Sequence, residues 1–490
     1  MNQLDLTPLP EARWNHAAAA HLLNRAGWGG TPGEIERLHS QGLPGAVRQL
    51  LDFTAAPVAF TEPDWARPDP DRATKLAALR QATEEQRQKM RREVQQENHR
   101  HLLELQQIWL RRMTAEGAPL QEKLTLFWHG HFATSAQKVR SARLMYRQNQ
   151  LFREHAAGHW PALLAAVTQD PAMLLYLDQA ESKPGHPNEN YARELLELFT
   201  LGEGNYTESD VTEAARALTG LTYDRLRQEP VHRPRLRDPR PKHLLGETGD
   251  FDEHGLIRLI TRQPAAAAFI AGKLWSFFAG TEPSDEESSA LAAELRRHDL
   301  QFAPFLKTIF HSVAFYEPAR CRRQIKSPVQ LLVGACRQLE RDLPPAPLTH
   351  NSLRLLGQEL FNPPNVKGWD GGIAWINTST LLTRHNLALL LTTGENPLPR
   401  IQRGTKPAGS TRARALAIGA APVERLFGDE DRKSPEALVA AVERRLFQSR
   451  LPEKDRSALL RFLESQETHG PKQLRGLLRL AMCTSEYQLT

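Results

Sequence analysis

Apolar residues recur along this chain three and four positions apart, and strand-like alternation is scarce, so the pattern predicts a mainly α protein. Near the start, Thr31, Pro32 and Glu34 supply an N-cap, a proline at the first helical position and a capping-box acid, and a second apolar face follows in LPGAVRQLLDF. A helical hairpin is expected there. After a proline-rich acidic stretch at 57–70, residues 72–113 read as one long charged helix carrying Leu76, Leu79, Met90, Val94, Leu102, Leu105, Ile108 and Trp109. Its charge run is expected to be a solvated face. In the next segment, Leu120, Leu124, Phe127 and His131 fall on one stripe, and 144–158, 161–167 and 171–177 again have helical composition. Thr207 and Asp210 resemble another capping box, with Gly220 as the stop.

The irregular stretch 223–251, rich in proline and arginine, is too long for a mere connection and reads as a functional loop or a small β excursion. Helices are expected to resume over 252–279, 284–298, 304–312, 327–339, 353–360 and 374–392. The expected division is a main helical domain over 1–394, a linker over 395–414 and a C-terminal helical unit over 415–490 packed on the main domain.

The segment 187–202, PNENYARELLELFTLG, stands out. On a helix, Asn190, Arg193, Glu194 and Glu197 share one side, while Tyr191, Ala192, Leu195, Leu196, Leu198 and Phe199 cover the rest. Two carboxylates one turn apart near a core repel unless something neutralises them. Three candidates exist: Arg193 pairing with Glu197, Arg216 or Lys242 reaching in, or a divalent metal bridging the acids with a histidine. The bland alternative is a salt-bridge network that fixes helix register. His129 and His131 are the candidate histidine ligands, but on a continuous helix positions i and i+2 lie about 200° apart, so both rings face one ion only if Gly130 breaks the helix. His131 otherwise reads as a satisfied core histidine. The loop FNPPNVKGWDGG can present Asn365, Lys367, Trp369 and Asp370 rigidly, with Trp369 as a stacking platform, unless Trp369 and Trp375 simply fill the core. Asn188 and Asn190 join these as candidate binding residues, and Asp238 and Lys242 join Arg193, Glu194 and Glu197 as candidate catalytic ones.

Composition narrows the class without naming a reaction. The chain has 490 residues, 40% hydrophobic and 24% charged, ordinary for a soluble protein, and no apolar run of about 18 residues that would span a membrane. The N-terminus lacks a basic region followed by an apolar one, so a cytoplasmic location is expected. Three scattered cysteines make no disulfide framework or zinc knuckle and are expected to be buried thiols. The net charge of +6 is a mild excess, and Arg233, Arg235, Arg237 and Arg240 read as an exposed basic loop, so nucleic-acid binding is not expected. G-x-S-x-G, H-E-x-x-H, a strand-linked G-x-G-x-x-G, CxxC and the Walker loop are all absent.

Taken in order, AAAAHLLNRAGWGGTPGEIERL, EKLTLFWHGHFATS, DPAMLLYLD, NENYARELLELFTLG, YTESDVTEAARALTG and FNPPNVKGWDGGIAWINTSTLLTRHN resemble the bacterial DUF1800 family, from about His16 to the terminal TSEYQL. The resemblance implies a large, mostly helical protein, often exported and often encoded beside a DUF1501 protein, its implied partner, with no established reaction. It also implies a His-Asp pair followed by Lys and Leu-Gly in the irregular loop. Here the stretch reads RDPRPKHLLG, so Asp238 and Lys242 match while Arg237 stands in the histidine's place. Two readings stay open: a helical enzyme-like protein with a carboxylate, histidine and arginine pocket, or a non-catalytic binding or assembly protein for a protein or glycan partner.

Overall fold

The computed structural model describes residues 4–53, 61–115, 117–397 and 418–490. Among these, 23 α-helices stand against two two-stranded antiparallel sheets, so the protein is mainly α. Both sheets lie in the arginine- and proline-rich excursion: Leu221–Asp224 pairs with Glu229–His232, and Lys242–Leu244 with Glu247–Gly249. The excursion is therefore two small hairpins rather than an open loop.

Local signals set most helix starts. Thr31 and Glu34 close a reciprocal capping box on Pro32–Ser40, which packs against Gly42–Leu51 as the expected hairpin, and Thr207 with Asp210 does the same for Glu208–Ala217. Two helix extents differ from expectation. The charged stretch is two helices, Arg72–Gln81 and Glu84–Thr114, because Thr83 forms its own capping box with Gln86 and interrupts the backbone. The helix expected over 353–360 instead spans Ala346–Leu355, with Pro347 tolerated in its first turn where no N–H is needed. Of the thiols, only Cys336 is buried, while Cys321 and Cys483 are partly exposed; all three are free. Residues 398–414 of the expected linker lie outside the described residues.

Two buried clusters organise the packing. One gathers the N-terminal helices with Phe152, Trp160, Phe199, Trp275 and Phe310. The other gathers Trp28, Trp109, Leu332, Phe361 and Leu391 with C-terminal residues such as Leu438, Leu477 and Tyr487. A fully buried Leu or Phe stabilises by roughly 1.5–3 kcal/mol, so apolar contact dominates both. The helix Pro119–His131 runs between them: Leu124, Phe127 and Trp128 enter the first cluster and Leu126 the second. Its buried C-terminal end carries His129 and His131 to the candidate site.

Candidate functional site

The segment around Glu194 is not one regular α-helix. Asn188 caps a short helix, Glu189–Glu194, that widens into a π-helical stretch over Leu195–Leu201 and stops at Gly202. The last turn of a helix leaves carbonyls to be met by side chains. Thr200 Oγ1 donates to Leu195 O at 2.5 Å, His131 Nε2 lies 3.0 Å from Phe199 O, and Lys273 Nζ donates to Leu198 O at 3.3 Å.

The two histidines face opposite ways, as i and i+2 on an unbroken helix must. His129 Nε2 accepts the Phe361 N–H at 2.9 Å, and its ring packs against Trp109, Phe361 and Trp369. Burial pushes its pKa down to about 3, so the ring is neutral. His131 lies among Phe127, Phe132 and Phe199, with Lys273 Nζ 3.4 Å from Nδ1; burial and then the lysine charge hold it well below the ordinary histidine range. Because Nε2 donates to a carbonyl, Nδ1 is the acceptor that faces Lys273. The ligand set His129, His131, Glu194 and Glu197 does not converge, and among the described residues no group of three His, Cys, Asp or Glu side chains is placed to hold a metal. His131 fits the satisfied core histidine.

The neutralising partners also differ from expectation. Arg193 does not reach Glu197; it forms a two-pronged pair with Glu208 at 2.7 and 2.8 Å and meets Glu189 at 3.5 Å. Glu208 is the first residue of the next helix, where a carboxylate is favoured, and its oxygens match the guanidinium fork. Glu197 instead accepts from Tyr206 Oη at 2.8 Å. Burial, then this bond, push the Tyr206 pKa up to about 12. Glu194 is half-buried and, among the described residues, has no hydrogen bond or ion pair. Burial and then the Glu197 charge raise its pKa, opposed by Arg193 and Lys367. Tyr176 feels the same carboxylate: burial and then Glu194 raise its pKa.

Arg216, on the helix Glu208–Ala217, and Lys242, in the excursion, are both engaged there rather than at Glu194. Asp238 is clamped by Arg240 at 2.6 Å and by Arg216 at 2.9 Å, contacts that hold its pKa far below the usual carboxylate range. Lys242 Nζ, fully buried, donates to Asp238 O at 2.8 Å and Asp250 Oδ1 at 3.1 Å, and Arg237 pairs with Asp250 at 2.5 Å. Asp238 and Lys242 do meet, but as the frame of the hairpins and away from Glu194. Arg216 pairs with Glu213 on its own helix at 2.7 Å.

The remaining candidates divide into fixed and open residues. Asn188 Nδ2 donates to Asp178 O at 2.8 Å while its oxygen caps the helix, and Asn190 Nδ2 donates to Leu177 O at 3.3 Å, so both hold backbone. Asn365 accepts from the Lys367 N–H at 2.8 Å in a tight turn. Asn365, Lys367 and Asp370 are exposed, Trp369 is half-buried on His129, and Trp375 alone is a core residue. Gly368 lies against the Gly130 backbone so closely that any Cβ would fall inside 3.0 Å of Gly130 O. Beyond that loop, Ile373, Leu382 and Leu381 are 77%, 60% and 37% exposed. Three residues escaped the sequence reading: Tyr206, Glu208 and Lys273. The last was legible as a lone cation in the apolar run AFIAGKLWSFF, and burial pulls its pKa down to about 8.

Fold and site together define a large, mainly helical protein whose polar segment, widened helix and glycine-anchored tryptophan loop gather around one histidine-bearing helix end. The chain belongs to the family described as protein of unknown function, DUF1800, which it matches over residues 21–489. No curated protein and no solved structure matches it. Among the described residues, no helix is long and apolar enough to cross a membrane.

Proposed function

We propose that this protein works as a binding or assembly component and that its contact surface is the Trp369 loop with the first turns of the helix Thr378–Thr393. One observation carries the reading: Ile373, Leu381 and Leu382, three large apolar side chains within ten residues, are exposed beside a loop that Gly368 and Phe361 pin to the helix end at His129 and Gly130. Rigid apolar surface of this kind is what a protein partner covers. The engagement of Arg193, Asp238, Lys242, Asn188, Asn190 and both histidines in intramolecular bonds supports the same reading. The first partner to try is a DUF1501 protein of the same bacterium, as the family resemblance implies. The three free cysteines suit a reducing compartment, hence the cytoplasm. The test is co-expression with that DUF1501 protein and co-purification from wild type and from an Ile373→Asp, Leu382→Asp double variant of unchanged circular dichroism. Loss of the complex only in the variant supports the surface. No complex with wild type, or equal recovery from both proteins, sinks it.

A second reading rests on Glu194. A half-buried carboxylate with a raised pKa, facing Glu197 and near Lys367, suits a site that binds a cationic group or exchanges a proton. Direct titration of Glu194 by carbon-detected NMR, with and without candidate amines, tests it. A pKa unmoved by every amine, together with unaltered function in Glu194→Gln, would leave the carboxylate as a structural feature.

A further inference from the structure

Residues 321–330, CRRQIKSPVQ, form a strap with cations packed along it and few acids to balance them. At one end the buried Arg25 donates to Gln324 Oε1 and to Ala279 O at 2.7 Å, and further on the buried Lys123 Nζ donates to Gln330 Oε1 at 2.6 Å. In both places a neutral amide stands where a carboxylate would balance the charge. The strap pairs with the chain end through the Ile325 and Leu489 bridge and the bond from Lys326 N to Gln488 O at 2.8 Å.

At that junction Lys326 Nζ lies 3.8 Å from the Tyr487 ring centroid and, among the described residues, has neither a hydrogen-bond acceptor nor an ion-pair partner. Beside it Arg384, 2% exposed, donates Nη2 to Lys326 O at 2.8 Å and Nη1 to Gln488 Oε1 at 3.1 Å, while its buried Nε–H has no partner. The third cation, Arg322, is already engaged by Glu486 Oε2 at 3.4 Å and by the carbonyls of Phe447 and Glu486. Two positive charges and one orphaned donor thus meet where no acid answers them. Unpaired charges in such surroundings are unfavourable unless an anion joins them.

We propose that Lys326 and Arg384 form a binding site for a small tetrahedral oxyanion, phosphate or sulfate, between the strap, the helix Thr378–Thr393 and the chain end. A dianion balances the two open charges, and its oxygens suit the Lys326 ammonium and the free Arg384 Nε–H through charge-assisted bonds. Lys326 as a whole residue is half-buried. Burial, reinforced by the Arg322 and Arg384 charges, pulls the Lys326 pKa down to about 7, in keeping with a lysine that lacks an anion beside it. The site lies apart from the Trp369 surface and does not depend on that reading.

The experiment is thermal unfolding of the full chain titrated with inorganic phosphate, sulfate, acetate and chloride at matched ionic strength, for wild type and Lys326→Met. The methionine is close to lysine in length and removes no side-chain hydrogen bond, only the ammonium over the Tyr487 ring, so the fold is expected to survive. Excluded-solute stabilisation by phosphate and sulfate grows without saturating and is the same in both proteins, which separates it from binding. The expected result is a saturable rise with phosphate or sulfate and not with acetate, with apparent affinity about tenfold or more weaker in Lys326→Met. Phosphate line broadening by NMR on wild type alone reports the same binding without any variant. A rise that never saturates in wild type, or a saturable rise that Lys326→Met keeps undiminished, overturns the proposal.

Discussion

Replacing Gly368 by alanine tests whether the Trp369 loop is anchored as rigidly as the geometry implies. The residue has φ +83°, where a Cβ costs roughly 1–2 kcal/mol from backbone strain alone. The added methyl would also fall inside 3.0 Å of Gly130 O, and that atom is helix backbone with no freedom to rotate away. Relief requires the loop to lift from the helix end, which strains the 2.9 Å bond from the Phe361 N–H to His129 Nε2. A buried donor left without its acceptor costs about 1–3 kcal/mol, so the total expected loss is about 2–5 kcal/mol. Gly185 and Gly204, at φ +83° and +82° with nothing within 4 Å of a built Cβ, isolate the strain alone. The assay is urea unfolding followed by circular dichroism and tryptophan fluorescence for the three alanine variants. The loop variant should lose at least 1 kcal/mol more than either control. Equal losses in all three would show that the Gly130 contact does not constrain the loop.

Other perturbations separate structure from chemistry at the acidic segment. Because the Glu194 pKa is raised in the fold, its ionisation opposes folding: the contribution is present at low pH and lost as pH rises through the folded value. Glu194→Gln should therefore gain on wild type between pH 4 and pH 7 in urea midpoint; a difference independent of pH would contradict the shift. Asp238 is the opposite case, held low by Arg240 and Arg216, so its stabilisation is present above the ordinary carboxylate pKa and fades in acid. Asp238→Asn should destabilise by about 1–3 kcal/mol at pH 7 and by less at pH 3, measured by denaturant unfolding, since Arg240 faces solvent and screening reduces its share. Arg193→Ala removes a pair whose acid is mostly exposed, and calorimetry should find the unfolding temperature within error of wild type.

Much of this architecture was legible because helix starts are written locally. Thr31 with Glu34, Thr207 with Asp210 and the prolines at first turns announce their helices without tertiary help. The Thr83 and Gln86 box carried the same signal, but charged helical composition on both sides masked the break. The opposed histidines also followed from helical geometry alone. The partners of Arg193 and Glu197 did not, because Glu208 and Tyr206 reach them only once the chain has turned at Gly202 and folded back. Nor does sequence distinguish an α-turn from a π-turn in LLELFTL, where apolar residues flank the acid on both sides.

The end of that helix at Gly202 explains why His131 and Lys273 stand where they do. Its carbonyls at Phe199 and Leu198 have lost regular helical partners, and each is met by one of these side chains from a neighbouring helix. Inward polarity is thereby spent on backbone, while the outward carboxylates Glu194 and Glu197 remain partly open. If this is the role of His131, a neutral donor of similar reach should replace it and an apolar ring should not. His131→Phe strands Phe199 O in the core and should lose about 1–3 kcal/mol at pH 7, while His131→Gln should recover part of that loss. A pH signature accompanies the loss of bonding. Burial depresses the His131 pKa, so its neutral form adds stability above 6.5 that declines as pH falls through the folded value, and His131→Gln should flatten that decline. Equal stability of the phenylalanine and glutamine variants across pH 5–8 would refute the capping role and return His131 to the list of residues whose placement needs another cause.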